Sequence, residues 1–263
     1  MKYHNLDFPG ALKRLAEKYQ IRLPEKKRSA REQEQERRRK LMFELNRKVA
    51  GYFREYLLSA HGENARNYLL QRGIAAEIQE KFFLGFAPPK EMGGWNFLGS
   101  KLNGEERELA IEAGLLVKKE AGGTYDRFRG RIQFPIYDVR GRIAGFGGRT
   151  ITDDNPKYMN SPESLVYNKS RMLFGLYHQR EAIGKQRRAV LVEGNFDLLA
   201  LVAGGFEPVA APLGTALTRE QVRRLKPMVD EVVLFFDGDA AGVKAAERAA
   251  PFFLAEQVSA RVV

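Results

Sequence analysis

The chain has 263 residues, 44% apolar and 11% aromatic, which is enough core for one large domain or two small ones and excludes a disordered chain. It has no cysteine, so disulfides and any cysteine-based zinc site are excluded, and His4, His61 and His178 are too scattered for a metal cage. A net charge of +11 favours a polyanionic partner, nucleic acid before an anionic membrane. No run of 18 apolar residues and no apolar leader is present, so no membrane span is expected and the default location is cytoplasmic.

Phe8, Leu12, Leu15 and Tyr19 recur at helical spacing and predict an amphipathic helix over 6–20, ended by Pro24. The charged run 26–40 continues without Gly or Pro into a stripe of Leu41, Leu45, Val49, Phe53 and Leu57. One long helix over about 28–59 follows, polar and solvated first and packed later. Helices are predicted over 65–72, stopped by Gly73, over 75–83, and over 105–113, stopped by Gly114; the stretch 86–95 reads as loop. Arg131–Tyr137, a turn at 138–141 and a returning strand over 142–146 form a hairpin, with a further turn over 153–157. Gly145, Gly147 and Gly148 mark a backbone that something approaches closely.

From residue 188 the pattern alternates. Strands over 189–192, 208–211, 232–236 and 258–263 are separated by helices over 197–203, 219–225 (capped by Thr218) and 241–253. This predicts an α/β fold, with parallel βαβ units after an α+β first part. The charge divides in the same way: residues 1–50 balance at +8 and residues 191–263 at −3. The stretch 127–188 holds 13 Lys/Arg against 5 Asp/Glu, with Arg127, Arg129 and Arg131 alternating on one predicted face.

Parallel sheets place ligands at the carboxyl ends of their strands. Glu193 and Asp237 follow the first and third strands of this part, Asp239 lies two residues beyond, and Asp197 one helical turn after Glu193. Such carboxylates repel unless neutralised, and a hard divalent cation with oxygen ligands does that. Taken singly, each acid reads more readily as a turn former or helix cap than as a metal ligand; the set points to Mg²⁺ or Mn²⁺.

Val192-Glu-Gly-Asn-Phe-Asp197, Leu213-Gly-Thr-Ala-Leu-Thr218 and Phe236-Asp-Gly-Asp-Ala-Ala-Gly242 resemble the Toprim domain, the metal-binding α/β fold of bacterial primases, topoisomerases and some nucleases. Upstream, Gly85-Phe-Ala-Pro-Pro89, Arg127–Ile136, Gly145-Phe-Gly-Gly-Arg149, Pro156–Glu163, Tyr167-Asn-Lys169 and Leu173–Tyr177 resemble the catalytic core of DnaG-type bacterial primases, a likeness that covers nearly the whole chain. The resemblance implies catalytic and metal-binding roles for Glu193, Asp237 and Asp239, with Asp197 a further acidic position. It implies nucleotide or template contacts for Arg149, Lys157, Asn160 and Lys169, to which the alternating arginines add Arg129 and Arg131. It also implies ribonucleoside triphosphates as substrates, an RNA primer as product and single-stranded DNA as template.

The expected domains are a linker helix over 1–25, a basic subdomain over 26–186 and a Toprim domain over 187–263. Complete relatives begin with a zinc-binding domain and continue to a third acidic motif and a domain that binds the replicative helicase. None of these is in this sequence, so truncation at both ends and weak primer synthesis by the chain alone are expected. Asn195 and Phe196 stand where the family often has Tyr and Met. Three rivals are a non-catalytic single-stranded-DNA-binding fragment, a Toprim nuclease or topoisomerase, and a haloacid-dehalogenase-like phosphatase built on Asp237 and Asp239.

Overall fold

The computed structural model describes residues 8–19, 21, 29–152, 154–214 and 216–263. Its chain order is α1 (Phe8–Lys18), α2 (Ala30–Leu58), α3 (Glu63–Gln71), α4 (Ala76–Lys81), β1 (Gly85–Ala87), α5 (Phe97–Lys101), α6 (Gly104–Glu112), β2 (Leu116–Lys118), β3 (Thr124–Asp126), β4 (Arg131–Tyr137), β5 (Ile143–Thr150), β6 (Tyr158–Asn160) and β7 (Leu173–Phe174). It continues through α7 (Leu176–Gln186), β8 (Arg188–Leu191), α8 (Asn195–Ala203), β9 (Val209–Pro212), α9 (Arg219–Leu225), β10 (Glu231–Leu234), α10 (Ala240–Glu256) and β11 (Ser259–Val262). The described residues up to Arg37 form one unit and Arg38–Val263 the other, the boundary falling within α2.

In the first unit, α1 covers most of the predicted helix; Leu6, Gln20 and Pro24 lie outside the described residues. The second unit is built on two sheets. β1-β4-β5-β6 is antiparallel, and β11-β10-β8-β9-β7 is parallel apart from the short β7. The packed half of α2 contributes Met42, Leu45, Val49, Phe53 and Leu57 to the first core, where Phe53 meets Phe146 of β5 edge-on. Asn46, buried in this apolar stripe, donates through Nδ2 to the carbonyls of Ile143 and Ala144, so the helix is pinned to the start of β5 by polar as well as apolar contacts.

The inner strands β8, β9 and β10 are buried on both faces, as their continuous apolar runs require, whereas the edge strand β11 is exposed. Val190, Val192, Val209, Ala211 and Val233 face the first core; Ala189, Leu191, Ala210, Val232 and Leu234 face a second core with Val222, Leu225, Ala246 and Phe253. The period of two therefore sorts each strand between the cores. Thr218 and Gln221 form a reciprocal cap on α9. The Gln221 amide also donates to the carbonyls of Lys169 and Met172, fastening the segment before β7 to this helix.

The structure adds elements that the periodicity reading passes over: β1 within the expected loop, the one-turn α5, the β2–β3 hairpin, β6, β7 and α7. All but α7 are five residues or shorter, too short to show a period. In the predicted turn over 153–157, Asp153 lies outside the described residues.

Candidate active site

β8 and β10 run side by side and parallel, with Leu191 opposite Leu234, so the segments that follow leave the sheet at the same edge. Glu193 and Asp237 emerge there, and the Asp237 N–H donates to Glu193 Oε1 at 3.0 Å. Gly242 makes this approach possible. A Cβ at that position would lie 2.1 Å from the Asp237 carbonyl oxygen and 2.8 Å from Glu193 Oε1. Asp197 turns back so that its Oδ2 accepts from the Gly194 N–H at 2.9 Å, closing the first turn of α8.

Glu193, Asp197 and Asp237 line one cavity of about 480 Å³, together with Tyr158 and Asn160 of β6, Asn195 of α8 and the apolar Leu213, Leu217 and Phe236. Asp239 is not on that wall. Its Oδ1 accepts from the N–H groups of Ala241 and Gly242 at 2.9 and 2.8 Å and caps α10. All four carboxylates are exposed, and none has a Lys or Arg partner among the described residues. No group of three acidic or histidine ligands among the described residues is placed to hold one ion. Mg²⁺ typically takes one or two carboxylates and completes its shell with water and phosphate oxygens. Glu193 and Asp237, exposed on one cavity wall and free of basic partners, fit that demand.

A second cavity, of about 370 Å³, is lined by Tyr68, Arg72, Arg149, Thr152, Asp154 and Lys157, among others. Arg149, only 7% exposed, leaves β5 opposite Tyr158 of β6 and bonds the Tyr158 hydroxyl. Its guanidinium lies 4.7 Å from the Tyr158 ring and 5.3 Å from the Phe196 ring, its Nε is buried without a partner, and no acidic residue pairs with it among the described residues. Arg72 sits 4.9 Å over both Tyr68 and Phe196, likewise without an ion pair. The acid on this wall, Asp154, is engaged by Lys90 at 3.4 Å. A buried cation without counter-charge is costly unless an anion completes it. Sequence reasoning missed Arg72, which stands at the C-cap of α3 and meets Phe196 only through the fold.

Tyr158 is on the first cavity wall and its hydroxyl bonds Arg149 of the second, and two residues along β6 Asn160 also lines the first cavity. Opposite it is Gly147, where a Cβ would lie 3.1 Å from both Asn160 Oδ1 and Asn195 Nδ2. Lys169 lies across Gly214, whose missing Cβ would fall 2.5 Å from Nζ; Gly214 is itself on the first cavity wall, at φ 118°. Thr215, next in that motif, lies outside the described residues. Arg131 is buried at the start of β4 and donates to the Lys157 carbonyl at 3.2 Å, and burial lowers its guanidinium pKa below the usual value.

Arg129 is elsewhere. It stacks 4.4 Å over Trp95 and 5.1 Å from Tyr125, beside the β2–β3 hairpin. Gly130, at φ 60°, interrupts the extended backbone between Arg129 and Arg131, so the alternation of the three arginines does not carry through to a common face. The structure thus gathers Glu193, Asp197, Asp237 and Asn160 on one cavity, Arg149 and Lys157 on the adjoining one, and Lys169 behind Gly214.

Comparison with known proteins agrees with this arrangement. The family described as DNA primase catalytic core, N-terminal domain, matches residues 52–180, and the Toprim domain matches residues 187–263. The DNA primase of Salmonella typhimurium is 37% identical over 251 residues, covering 95% of this chain and 42% of the relative. That of Synechococcus elongatus is 43% identical over 244 residues, covering 89% and 35%. The chain spans about two fifths of the length of these curated relatives. A solved DnaG primase catalytic domain bound to ssDNA superposes with a TM-score of 0.79 at 36% identity, covering 86% of this chain and 73% of that one. The chain therefore belongs to the DnaG-type DNA primase catalytic-core family.

Proposed function

We propose that this chain carries the catalytic centre for DNA-directed synthesis of short RNA primers, a metal-dependent nucleotidyl transfer on a single-stranded template. The supporting observation is the pairing of two cavities: exposed carboxylates without a basic partner among the described residues in one, and in the next a buried Arg149 without an acidic partner among them, the two joined by the bond from Arg149 to the Tyr158 hydroxyl. A solved relative bound to ssDNA supports a DNA template here.

Residues 26–186 would form the basic subdomain that faces nucleic acid and residues 187–263 the Toprim domain. Arg149 and Lys157, with Arg72 beside them, bind phosphates, and stacking on Phe196 and Tyr158 holds the Arg149 guanidinium in place. Lys169, Arg131 and Arg129 extend the basic surface along the template path. Asn160 fixes the nucleotide from the side of β6. Glu193 and Asp237 would hold Mg²⁺ or Mn²⁺, with Asp197 beside them and Asp239 holding the start of α10. When bound, the metal supplies charge neutralisation at the triphosphate and the leaving pyrophosphate. The protein contributes no nucleophile, because the primer's 3′-hydroxyl attacks; its side chains place that hydroxyl and the α-phosphate. Ribonucleoside triphosphates are the substrates, the cytoplasm is the site of action, and the replicative helicase is a partner of the longer relatives' C-terminal part.

The test is nucleotide binding by the purified chain with and without Mg²⁺. Glu193→Gln and Asp237→Asn are expected to abolish the metal-dependent component while single-stranded DNA still binds. Metal-dependent binding that survives in both variants would overturn the assignment. Loss of DNA binding in step with nucleotide binding would favour a collapsed domain over a lost metal site.

A further inference from the structure

Asn195 is the first residue of α8 and is only 9% exposed, yet its side chain lines the carboxylate cavity. Its Nδ2 and the Asn160 Oδ1 converge on Gly147 from α8 and β6, each 3.1 Å from the position a Cβ would take there. Neither carboxamide has a hydrogen-bond partner among the described residues. The Asn195 amide opens into the cavity, where water reaches it, and a ligand that displaces that water has to supply the hydrogen bond in its place.

The cavity narrows the chemistry of that ligand. Its described lining holds no Lys or Arg, so the amide end is not a phosphate site. Carboxylates occupy one part of the wall and Leu213, Leu217 and Phe236 another. Two neighbouring carboxamides offer a donor and an acceptor at one place, and a hydroxyl is the small neutral group that both donates and accepts through a single atom. On a nucleotide, such groups belong to the sugar.

We propose that Asn195 reads the sugar of the bound nucleotide, its carboxamide hydrogen-bonding the ribose 2′-hydroxyl that deoxynucleotides lack. This rests on the cavity being the nucleotide site. Gly147 keeps the space between the two carboxamides open, so a residue that lies just before the helix predicted over 197–203 becomes a determinant of ribo- over deoxyribonucleotide choice. A site built to bond a hydroxyl discriminates against the analogue without it, because its own polar groups are then left unpaired.

The experiment measures equilibrium binding of ATP, UTP and dATP, each with Mg²⁺, to the 263-residue chain and to Asn195→Ala and Asn195→Asp. The aspartate keeps the shape and an acceptor and removes the donor. The wild type is expected to prefer ATP over dATP by about tenfold or more. Both variants should lose about tenfold in affinity for ATP and for UTP while dATP changes by less than about twofold, so the sugar preference collapses. Thermal unfolding of the variants identifies any that fail to fold, and Asn195→Asp, the near-isosteric change, then carries the comparison. Equal loss for ATP and dATP, an unchanged ratio, or a loss that follows the base instead of the sugar overturns the inference and leaves the nucleotide site standing. Absence of metal-dependent binding of all three nucleotides to the wild type overturns the site itself and the inference with it.

Discussion

Gly242 shows how closely the site is drawn together at the level of single atoms. With the Asp237 carbonyl 2.1 Å from where its Cβ would lie, Gly242→Ala has to displace the turn that joins β10 to α10. Overpacking of that kind costs about 1–3 kcal/mol. Chemical denaturation should show that loss, and metal affinity should fall with it, because the same shift separates Asp237 from Glu193. An alanine variant with wild-type stability and metal binding would show that the turn has slack. Asp126 is a second residue whose environment decides its behaviour. It is almost fully buried, accepts from the N–H groups of Leu98 and Gly99, and burial pushes its carboxyl pKa up to about 6. With a folded pKa above the unfolded value, its contribution to stability is fully present below about pH 4 and is lost as the pH rises through about 6. Asp126→Asn cannot titrate. The stability of the variant relative to wild type should therefore rise between pH 4 and pH 6.5, by at most about 1.4 kcal/mol per pH unit, and level off above. A flat difference across that range would contradict the assignment.

The elements explain why the family motifs have the spacing they do. Thr218 caps α9, and its hydroxyl also donates to the Ser170 carbonyl at 2.5 Å, while Gln221 holds the carbonyls of Lys169 and Met172. Thr218→Ala is expected to cost about 1 kcal/mol through the lost cap, and more through the bond to Ser170. Because Lys169 is on the tethered segment, DNA affinity should fall in the same variant; a stability loss without any change in DNA affinity would detach α9 from the basic surface. Much of this was legible in the sequence. The α2 stripe, the Thr218 cap, Gly73 and Gly114 as helix stops, and the four parallel strands all depend on local periodicity or local chemistry, and the structure carries each of them within a few residues. The carboxylates at one sheet edge were also legible, because parallel strands of βαβ units all end at the same edge; that β10 pairs with β8 was not. The use of Asp239 as a helix cap was legible only as the alternative reading of a single acid, since an Asp-Gly-Asp turn allows either orientation. Arg72, Asn195 and the packing of Phe196 against Arg72 and Arg149 were not legible either. Those contacts join residues some 40 to 120 positions apart, and no local period encodes them.

Over the whole molecule, charge is separated from one part of the chain to the other. Residues 127–188 hold 13 Lys/Arg against 5 Asp/Glu and residues 191–263 balance at −3, so the proposed basic surface and the proposed cation edge come from different segments. Binding to single-stranded DNA should weaken steeply with salt, the slope of log K against log salt falling by about 0.7 for each phosphate contact removed. Arg149→Ala and Lys157→Ala should each shallow the slope by about that amount, whereas Glu193→Gln should leave it unchanged. Slopes that do not respond to either basic variant would move the DNA path away from the second cavity. The measurement that bears most directly on the whole account is Mn²⁺ uptake without nucleotide, followed by the disappearance of the free-ion electron paramagnetic resonance signal. The wild type is expected to bind Mn²⁺ saturably and the Glu193→Gln, Asp237→Asn double variant at least about tenfold more weakly. Equal uptake by the two proteins, or none by the wild type, would contradict a cation site at the edge of β8 and β10.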